Sequence, residues 1–157
     1  MANTVTDSFA SPTALTISLG GLASSTTGVG RQSTIVDNTT NKYQTVELSV
    51  HIKLGTSPTG NKSAQVYFIR DNNDGTPIRD DSAGASDAAL TVLNAPLIGI
   101  LVDKTSPSTG DLLEGNFIVN DPGPKWGIAI VHDTAVNLDA TNGNHVISFI
   151  GKNPVIN

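Results

Sequence analysis

Few side chains in this chain are of the types that perform catalysis. The candidates are three histidines and two glutamates: His51, His132, His145, Glu47 and Glu114. A serine hydrolase needs a nucleophile with a base in reach, and a glycosidase needs two carboxyl groups roughly 5–10 Å apart. The sequence contains neither a Gly-x-Ser-x-Gly motif nor a His-x-His pair. We retain Glu47 with His51 as a polysaccharide lyase or hydrolase alternative, and we interpret the histidines as surface or edge residues.

An acidic stretch is the best place for a metal ion. Five aspartates fall between positions 71 and 87, at Asp71, Asp74, Asp80, Asp81 and Asp87. Calcium prefers such oxygen ligands, but Gly75 comes one position too early for an EF-hand loop and Ser82 replaces its closing glutamate. We therefore interpret the stretch as a solvated turn, with Asp71 and Asp74 as weak Ca²⁺ candidates and no other metal site.

Two further features could bind a ligand. The glycine-rich segment 20–30 lacks the Gly-Lys-Ser/Thr ending of a phosphate loop, so it is interpreted as a flexible connection. Trp126 and Tyr67 could stack on a sugar ring, but a single Trp at the start of an apolar strand is more typical of a core or an interface. The sequence indicates no cofactor.

The strand that would position Glu47 and His51 is the clearest element in the sequence. From Thr45 to Leu54 apolar and polar residues alternate without interruption. Successive side chains of a strand point to opposite faces, so this segment has one buried face and one wet face. The apolar set is Val46, Leu48, Val50, Ile52 and Leu54.

Three other segments complete the predicted core. Residues 64–70 are expected to form a hairpin with the long strand, and residues 97–102, apolar on both faces, are expected to be buried. In the strand that begins at Trp126, Gly127 and Ala129 share a face that another part of the chain should approach closely.

Composition indicates the fold class. The chain has 157 residues, enough for one domain with a proper core. Asp outnumbers Glu by 12 to 2, which favours turns over helices, and Thr, Val and Ile are abundant. We predict an all-β antiparallel β-sandwich, jelly-roll-like, with about nine strands and no substantial helix. An N-terminal arm over residues 1–14 would precede a single domain over 15–157.

Charge and cysteine content exclude several partners. The net charge is −5 with nine basic residues, so the cationic stripe that nucleic acid or an anionic membrane requires is missing. No apolar run approaches the roughly 20 residues of a membrane helix. The absence of Cys excludes disulfides and thiolate metal sites and fits assembly in a reducing cytoplasm.

Three stretches together resemble a known class of protein. They are residues 28–38, the long strand running into 54–59, and residues 125–131. In these the chain, over roughly residues 15–151, resembles the capsid decoration (cement) proteins of tailed bacteriophages, which have a jelly-roll fold. The resemblance implies a virion protein made in the host bacterial cytoplasm. It would bind the outside of the head and clamp neighbouring subunits of the major capsid protein, without catalytic residues.

Within that resemblance, the N-terminal arm and the segment Gly20 to Arg31 are expected to contact the capsid. The candidate contact residues are Ser24, Thr27, Val29, Arg31 and Trp126. Arg31 would be the charged anchor, and removing residues 1–30 should abolish head binding while leaving the β structure intact. A homo-oligomer, dimer or trimer, is expected because closed symmetry covers sheet edges.

A different class of function stays open. A carbohydrate-binding or receptor-binding β-sandwich module of a phage tail or fibre would use Trp126, Tyr67 and the acidic loop as its ligand surface. Such modules present several aromatic side chains in a row, and this chain has seven aromatics in total.

Overall fold

A computed structural model describes residues 4–71, 81 and 84–156. It confirms an all-β sandwich of two antiparallel sheets, and the one helical element in those ranges is a single 3₁₀ turn at Asn142–Asn144. The described residues form eleven strands rather than about nine, and two of these are only two residues long. They are β1 (Val5–Phe9), β2 (Thr13–Ala14), β3 (Val29–Gln32), β4 (Val36–Asp37), β5 (Thr45–Lys53), β6 (Ser63–Asp71), β7 (Ala88–Thr91), β8 (Leu97–Val102), β9 (Leu112–Asn120), β10 (Lys125–His132) and β11 (Val146–Ile156).

The strand order is that of a jelly roll. Sheet A has the order β1-β11-β5-β9 with β2 also beside β11, and sheet B has the order β7-β3-β10-β6-β8 with β4 also beside β10. Four antiparallel pairs are nested along the chain: β2 with β11, β3 with β10, β5 with β9, and β6 with β8. The chain is therefore one long hairpin wrapped around a core, which gives the two Greek keys of a jelly roll.

Strand β5 has the predicted alternation, but its predicted hairpin is wrong. Its apolar residues Val46 to Ile52 are fully buried at every second position. However, β5 pairs with β9 and β11, whereas β6 pairs with β10 and β8 in the other sheet. The loop at 55–61 crosses between the sheets, so that the apolar faces of β5 and β6 meet across the core.

Strand β10 is the centre of the core and is buried on both faces. Trp126 stacks on Phe68 of sheet B with ring centroids 5.6 Å apart, and it meets Phe149 of sheet A edge-on at 4.9 Å. On the opposite face, a Cβ on Gly127 would lie 2.7 Å from Cδ1 of Ile35, and Ala129 belongs to a second small cluster. The predicted close approach at this face is confirmed.

Strand β8 is not buried as predicted. It is the edge of sheet B, and of its six residues only Leu101 is buried. Leu97, Ile100 and Val102 are exposed because nothing in the described part of the chain covers their side of the sheet.

The N-terminal residues are part of sheet A. Both β1 and β2 pair with β11, and the following residues Leu15, Ile17 and Leu19 are buried in the main core. Removing residues 1–30 would therefore take out core side chains. The expectation that this deletion leaves the β structure intact is wrong.

Candidate functional site

The predicted charged anchor is paired within the chain. Nε of Arg31 donates to the carboxylate of Asp87 at 2.5 Å, and the hydroxyl of Ser18 donates to the same carboxylate. Burial alone would raise the pKa of Asp87, but these hydrogen bonds and the positive charge of Arg31 hold it below its usual value. Arg31 therefore joins β3 to the start of β7, so its guanidinium already has a partner within the chain.

The remaining predicted contact residues differ in their accessibility. Trp126 is 0% exposed, so it cannot touch a partner, and its inclusion as a contact residue is wrong. Ser24 accepts a hydrogen bond from the Ala135 N–H, whereas Thr27 and Val29 are exposed.

The segment that contains these residues is held by local hydrogen bonds. The hydroxyl oxygen of Ser25 accepts from the N–H groups of Thr27 and Val29. Leu22 packs against the core, and its carbonyl accepts from Leu138. The glycine-rich segment is therefore an ordered loop, in contrast to the flexible connection that its composition indicates.

The outward face of sheet A holds an arrangement that resembles a hydrolase triad. Ser49 Oγ lies 3.1 Å from Nε2 of His51, and Nδ1 of His51 lies 2.7 Å from Oε1 of Glu114. This is the nucleophile–base–acid order of a Ser-His-Glu triad. The sequence alone does not reveal this arrangement, because Glu114 is 63 residues away from His51 and becomes its neighbour only through the β5–β9 register.

The surroundings of these three side chains do not fit catalysis. The His51 and Glu114 side chains are 42% and 52% exposed on an open sheet face, where water screens charge and is not excluded from a reacting centre. Glu47, the other retained carboxylate, lies opposite Ile118 and Ile150 and has no part in the arrangement. We interpret the cluster as a polar ladder across two strands.

Two histidines are buried, contrary to the expectation that all three lie at the surface. His145 accepts from the Lys53 N–H at Nδ1 and donates from Nε2 to the Asp139 carbonyl. His132 donates from Nε2 to the Leu22 carbonyl at 2.9 Å, and its Nδ1 lies 3.0 Å from Thr134 Oγ1. The two imidazoles thereby attach loops to the sandwich.

His132 is expected to make stability depend on pH. Burial lowers its pKa below the usual 6.5, although the nearby Asp133 favours the charged form. The unfolded chain thus takes up a proton more readily, so this contribution to stability is complete above pH 6.5 and declines as the pH falls below it. His132→Gln should flatten the melting temperature against pH just below 6.5.

The control is Val146→Gln, which places a glutamine on the exposed face of sheet A without removing a titratable group, and it should leave the profile unchanged. Aspartates such as Asp139, whose pKa is lowered by the hydrogen bond from the Thr141 N–H, affect stability in a separate pH range, below their usual pKa of 3.8. An unaltered slope below pH 6.5 in His132→Gln would contradict the assignment.

The calcium candidates do not form a site in the described residues. Asp71 is buried at the end of β6, and Asp74 lies outside the described residues. Across 4–71, 81 and 84–156 no group of three His, Asp or Glu side chains is placed to hold a metal ion. Asp81 instead accepts from the N–H groups of Leu93, Asn94 and Ala95, so it joins its loop to the chain before β8.

One end of the sandwich has an open cleft of about 810 Å³, which we call the end cleft. Its walls are the β4–β5 and β9–β10 loops, and its lining residues are Asn38, Thr39, Lys42, Tyr43, Gln44, Asn120, Asp121, Gly123 and Pro124. Buried Asn38 joins the walls: Nδ2 donates to the carbonyls of Tyr43 and Gly123, and Oδ1 accepts from the Tyr43 N–H. Lys42 and Asp121 both adopt positive φ, which costs L-residues energy and holds these loops in a defined shape.

The most exposed apolar element is a two-stranded ribbon made by both ends of the chain. It consists of β1 paired with Lys152–Ile156 of β11, and we call it the terminal ribbon. All five residues of β1 are exposed, and β11 is the only strand that β1 pairs with in the described residues. The ribbon therefore extends beyond the part of sheet A that covers the core.

One face of the terminal ribbon combines exposed apolar side chains with one ion pair, Asp7 with Lys152. Cross-strand partners share a face, so Val5 lies beside Ile156, and Phe9 lies beside Lys152. Val5, Phe9 and Ile156 are 61–69% exposed. The ammonium of Lys152 lies 5.0 Å from the centre of the Phe9 ring and 3.7 Å from the Asp7 carboxylate, which orients these side chains.

The rest of the chain adds no further identification. In the described residues no helix has the length and hydropathy needed to cross a bilayer. No protein-family model matches the sequence, and no curated protein matches it significantly.

Proposed function

We propose that this chain is a structural virion protein that binds the outer surface of a phage head and clamps neighbouring major capsid subunits. The terminal ribbon is the observation that supports it most directly. A ribbon of two strands buries little surface of its own, and exposed apolar side chains grouped on one face in this way mark a surface used for interaction. The sandwich behind it, with a core built from both sheets, provides a stiff body.

A clamp of this kind needs only modest affinity for each contact. Many copies on one lattice, each touching two subunits, convert later contacts into intramolecular ones and multiply the effect. Apolar side chains on a short ribbon meet that requirement, and the ribbon continues one edge of sheet A. Of the two predicted contact segments we therefore keep the N-terminal residues, as part of the terminal ribbon, for the main capsid contact, with the exposed Thr27 and Val29 of Gly20–Arg31 as secondary contacts.

The proposal is tested by replacing two apolar ribbon residues, Val5→Ser with Phe9→Ser. Each side chain contributes about 1.5–3 kcal/mol when buried in a contact, so the double variant should bind empty heads at least ~100-fold more weakly. Cosedimentation with heads, with occupancy read by electron microscopy, measures this. The core is untouched because both side chains are exposed.

Val146→Ser is the matched control. Val146 is an exposed valine on the outward face of the same sheet, outside the ribbon, so this variant should coat heads as the parent does. Full coating by the ribbon double variant would refute the assigned contact. Failure of the unaltered protein to bind any head would refute the function itself.

A second candidate function, a carbohydrate-binding or receptor-binding module of a tail or fibre, is favoured by the end cleft. Its lining residues include Tyr43 together with residues that carry amide, carboxylate and ammonium groups, a combination suited to sugar hydroxyls. Neither Trp126 nor Tyr67, the aromatics expected from the sequence, lines this cleft. Glycan-array binding that Gln44→Ala abolishes would favour this candidate over the capsid clamp.

A further inference from the structure

The free edge of β8 has the properties of a strand that is covered in the assembled protein. The strand closes one side of sheet B, and in the described residues β6 is the only strand that pairs with it. Leu97, Ile100 and Val102 are 48%, 50% and 69% exposed. This edge lies in sheet B, so it is separate from the terminal ribbon of sheet A.

The backbone of this edge is available for hydrogen bonding. The Asp103 N–H donates to the Lys62 carbonyl at 2.8 Å, in the register that pairs Val102 with Ser63. Antiparallel hydrogen bonding alternates along a strand, so the N–H and C=O groups of Val102 and Ile100 point away from β6. These two residues thus present apolar side chains on the sheet face and, at its edge, backbone groups that no strand of the described residues pairs with.

The edge also lacks the features that normally prevent strand pairing. Natural edge strands are protected by charged residues, bulges or proline. No charged residue occurs between positions 88 and 102, and Pro96 and the bulge at Val66/Tyr67 protect only the beginning of β8. The half that contains Ile100 and Val102 is unprotected.

We propose that this edge pairs with the same edge of a second copy, antiparallel about a two-fold axis, so that sheet B continues through a homodimer. A two-fold interface must be complementary to itself. Pairing Ile100 with the partner's Val102, about an axis at Leu101, joins the outward N–H and C=O groups of both residues, and the arrangement is the same from either copy. Ile100 and Val102 from both chains then lie on one continuous sheet face.

The charge distribution also favours a second copy of the chain as the partner of the β8 edge. Each chain has a net charge of −5, so two copies repel each other least where an interface contains no charge, as at β8. The corresponding pairing of the β1 edge about its centre would place Asp7 against the partner copy's Asp7, which is destabilising. The dimer does not depend on the proposed capsid function.

Val102→Lys tests the interface. The side chain is largely exposed, so the variant chain should fold as the parent does, while each new ammonium would face the partner's Ile100 in an apolar interface and lie near the equivalent ammonium of the other copy. Size-exclusion chromatography with light scattering should give twice the 16.2 kDa chain mass for the parent. The variant should give one chain mass, with dimer dissociation at least ~10-fold more favourable.

Ile118→Lys is the matched control, since Ile118 is 64% exposed on the outward face of β9 and should leave the dimer intact. Amide exchange provides a second readout: the N–H groups of Ile100 and Val102 should be protected in the parent and exchange quickly in Val102→Lys. A monomeric parent, or a Val102→Lys dimer as tight as the parent's, would overturn the proposal. No heads are used, so this result is independent of the head-binding test.

Discussion

Trp126→Ala is expected to destabilise the fold by about 3–5 kcal/mol, as large aromatic-to-alanine changes in a core do. Trp126 is 0% exposed and contacts rings from both sheets, Phe68 in sheet B and Phe149 in sheet A. Its removal leaves a cavity between the two layers that rigid strands on either side cannot fill. Chemical unfolding followed by far-UV circular dichroism measures the change, since the only Trp is lost.

Trp126→Phe is the control that separates packing from hydrogen bonding. The indole N–H of Trp126 is buried without a partner, so replacing the indole by a phenyl ring removes an unsatisfied donor while retaining much of the stacking. The Phe variant should therefore lose less than half of what the Ala variant loses. Equal losses in the two variants would mean that the contact with Phe68 and Phe149 contributes little.

The success and the failure at β5 have one physical cause. Strict alternation determines which face of a strand is buried, because side chains leave on alternate sides, and the Val46 to Ile52 pattern showed this directly. Alternation does not determine which strand lies beside it. In a jelly roll the sequential neighbours β5 and β6 lie in different sheets, so the nearest strand in sequence is not the hydrogen-bonded one.

The misassigned β8 shows a second limit. A short, continuous apolar run is the pattern of a strand covered on both faces, and it is equally the pattern of an edge that another molecule covers. Position in the sheet separates the two cases, and that position follows from the pairing of distant strands. The same applies to His132, because it donates a hydrogen bond to the carbonyl of Leu22, which lies 110 residues away in the chain.

The accessibility of the candidate contact residues also depends on pairing between distant parts of the chain. Thr27 and Val29 are exposed as a contact surface requires, but Arg31 is paired with Asp87, 56 residues away, and Trp126 is enclosed by two sheets. The terminal ribbon could not be anticipated, since it forms from opposite ends of the chain. Its apolar residues Val5 and Ile156 are about 150 positions apart in the chain, and neither belongs to an alternating local pattern.

The second large effect is expected at Asn38, the buried residue that joins the walls of the end cleft. Asn38→Asp keeps the shape and the oxygen that accepts the Tyr43 N–H at 2.8 Å. It replaces Nδ2, which donates to the carbonyls of Tyr43 and Gly123, by a charged oxygen that faces both of them. A buried charge without a partner costs more than lost hydrogen bonds, so this variant should be at least ~3 kcal/mol less stable than the parent at neutral pH.

Asn38→Ala is the uncharged control: it loses the two Nδ2 hydrogen bonds that the Asp variant loses, and also the one from the Tyr43 N–H. The two variants separate by their pH dependence. Facing two carbonyls, the new carboxyl should have a pKa above the usual value of about 3.9, so the folded state binds its proton more tightly than the unfolded chain. Its destabilisation relative to the parent is therefore complete above that raised pKa and shrinks as the pH falls towards about 3.9, whereas the loss in Asn38→Ala stays constant.

Denaturant unfolding of all three proteins across this range measures the difference. If the free energies of unfolding of the two variants depended on pH in the same way, the new carboxyl would not face the two carbonyls. That result would contradict the role of the Asn38 hydrogen bonds in joining the walls of the end cleft.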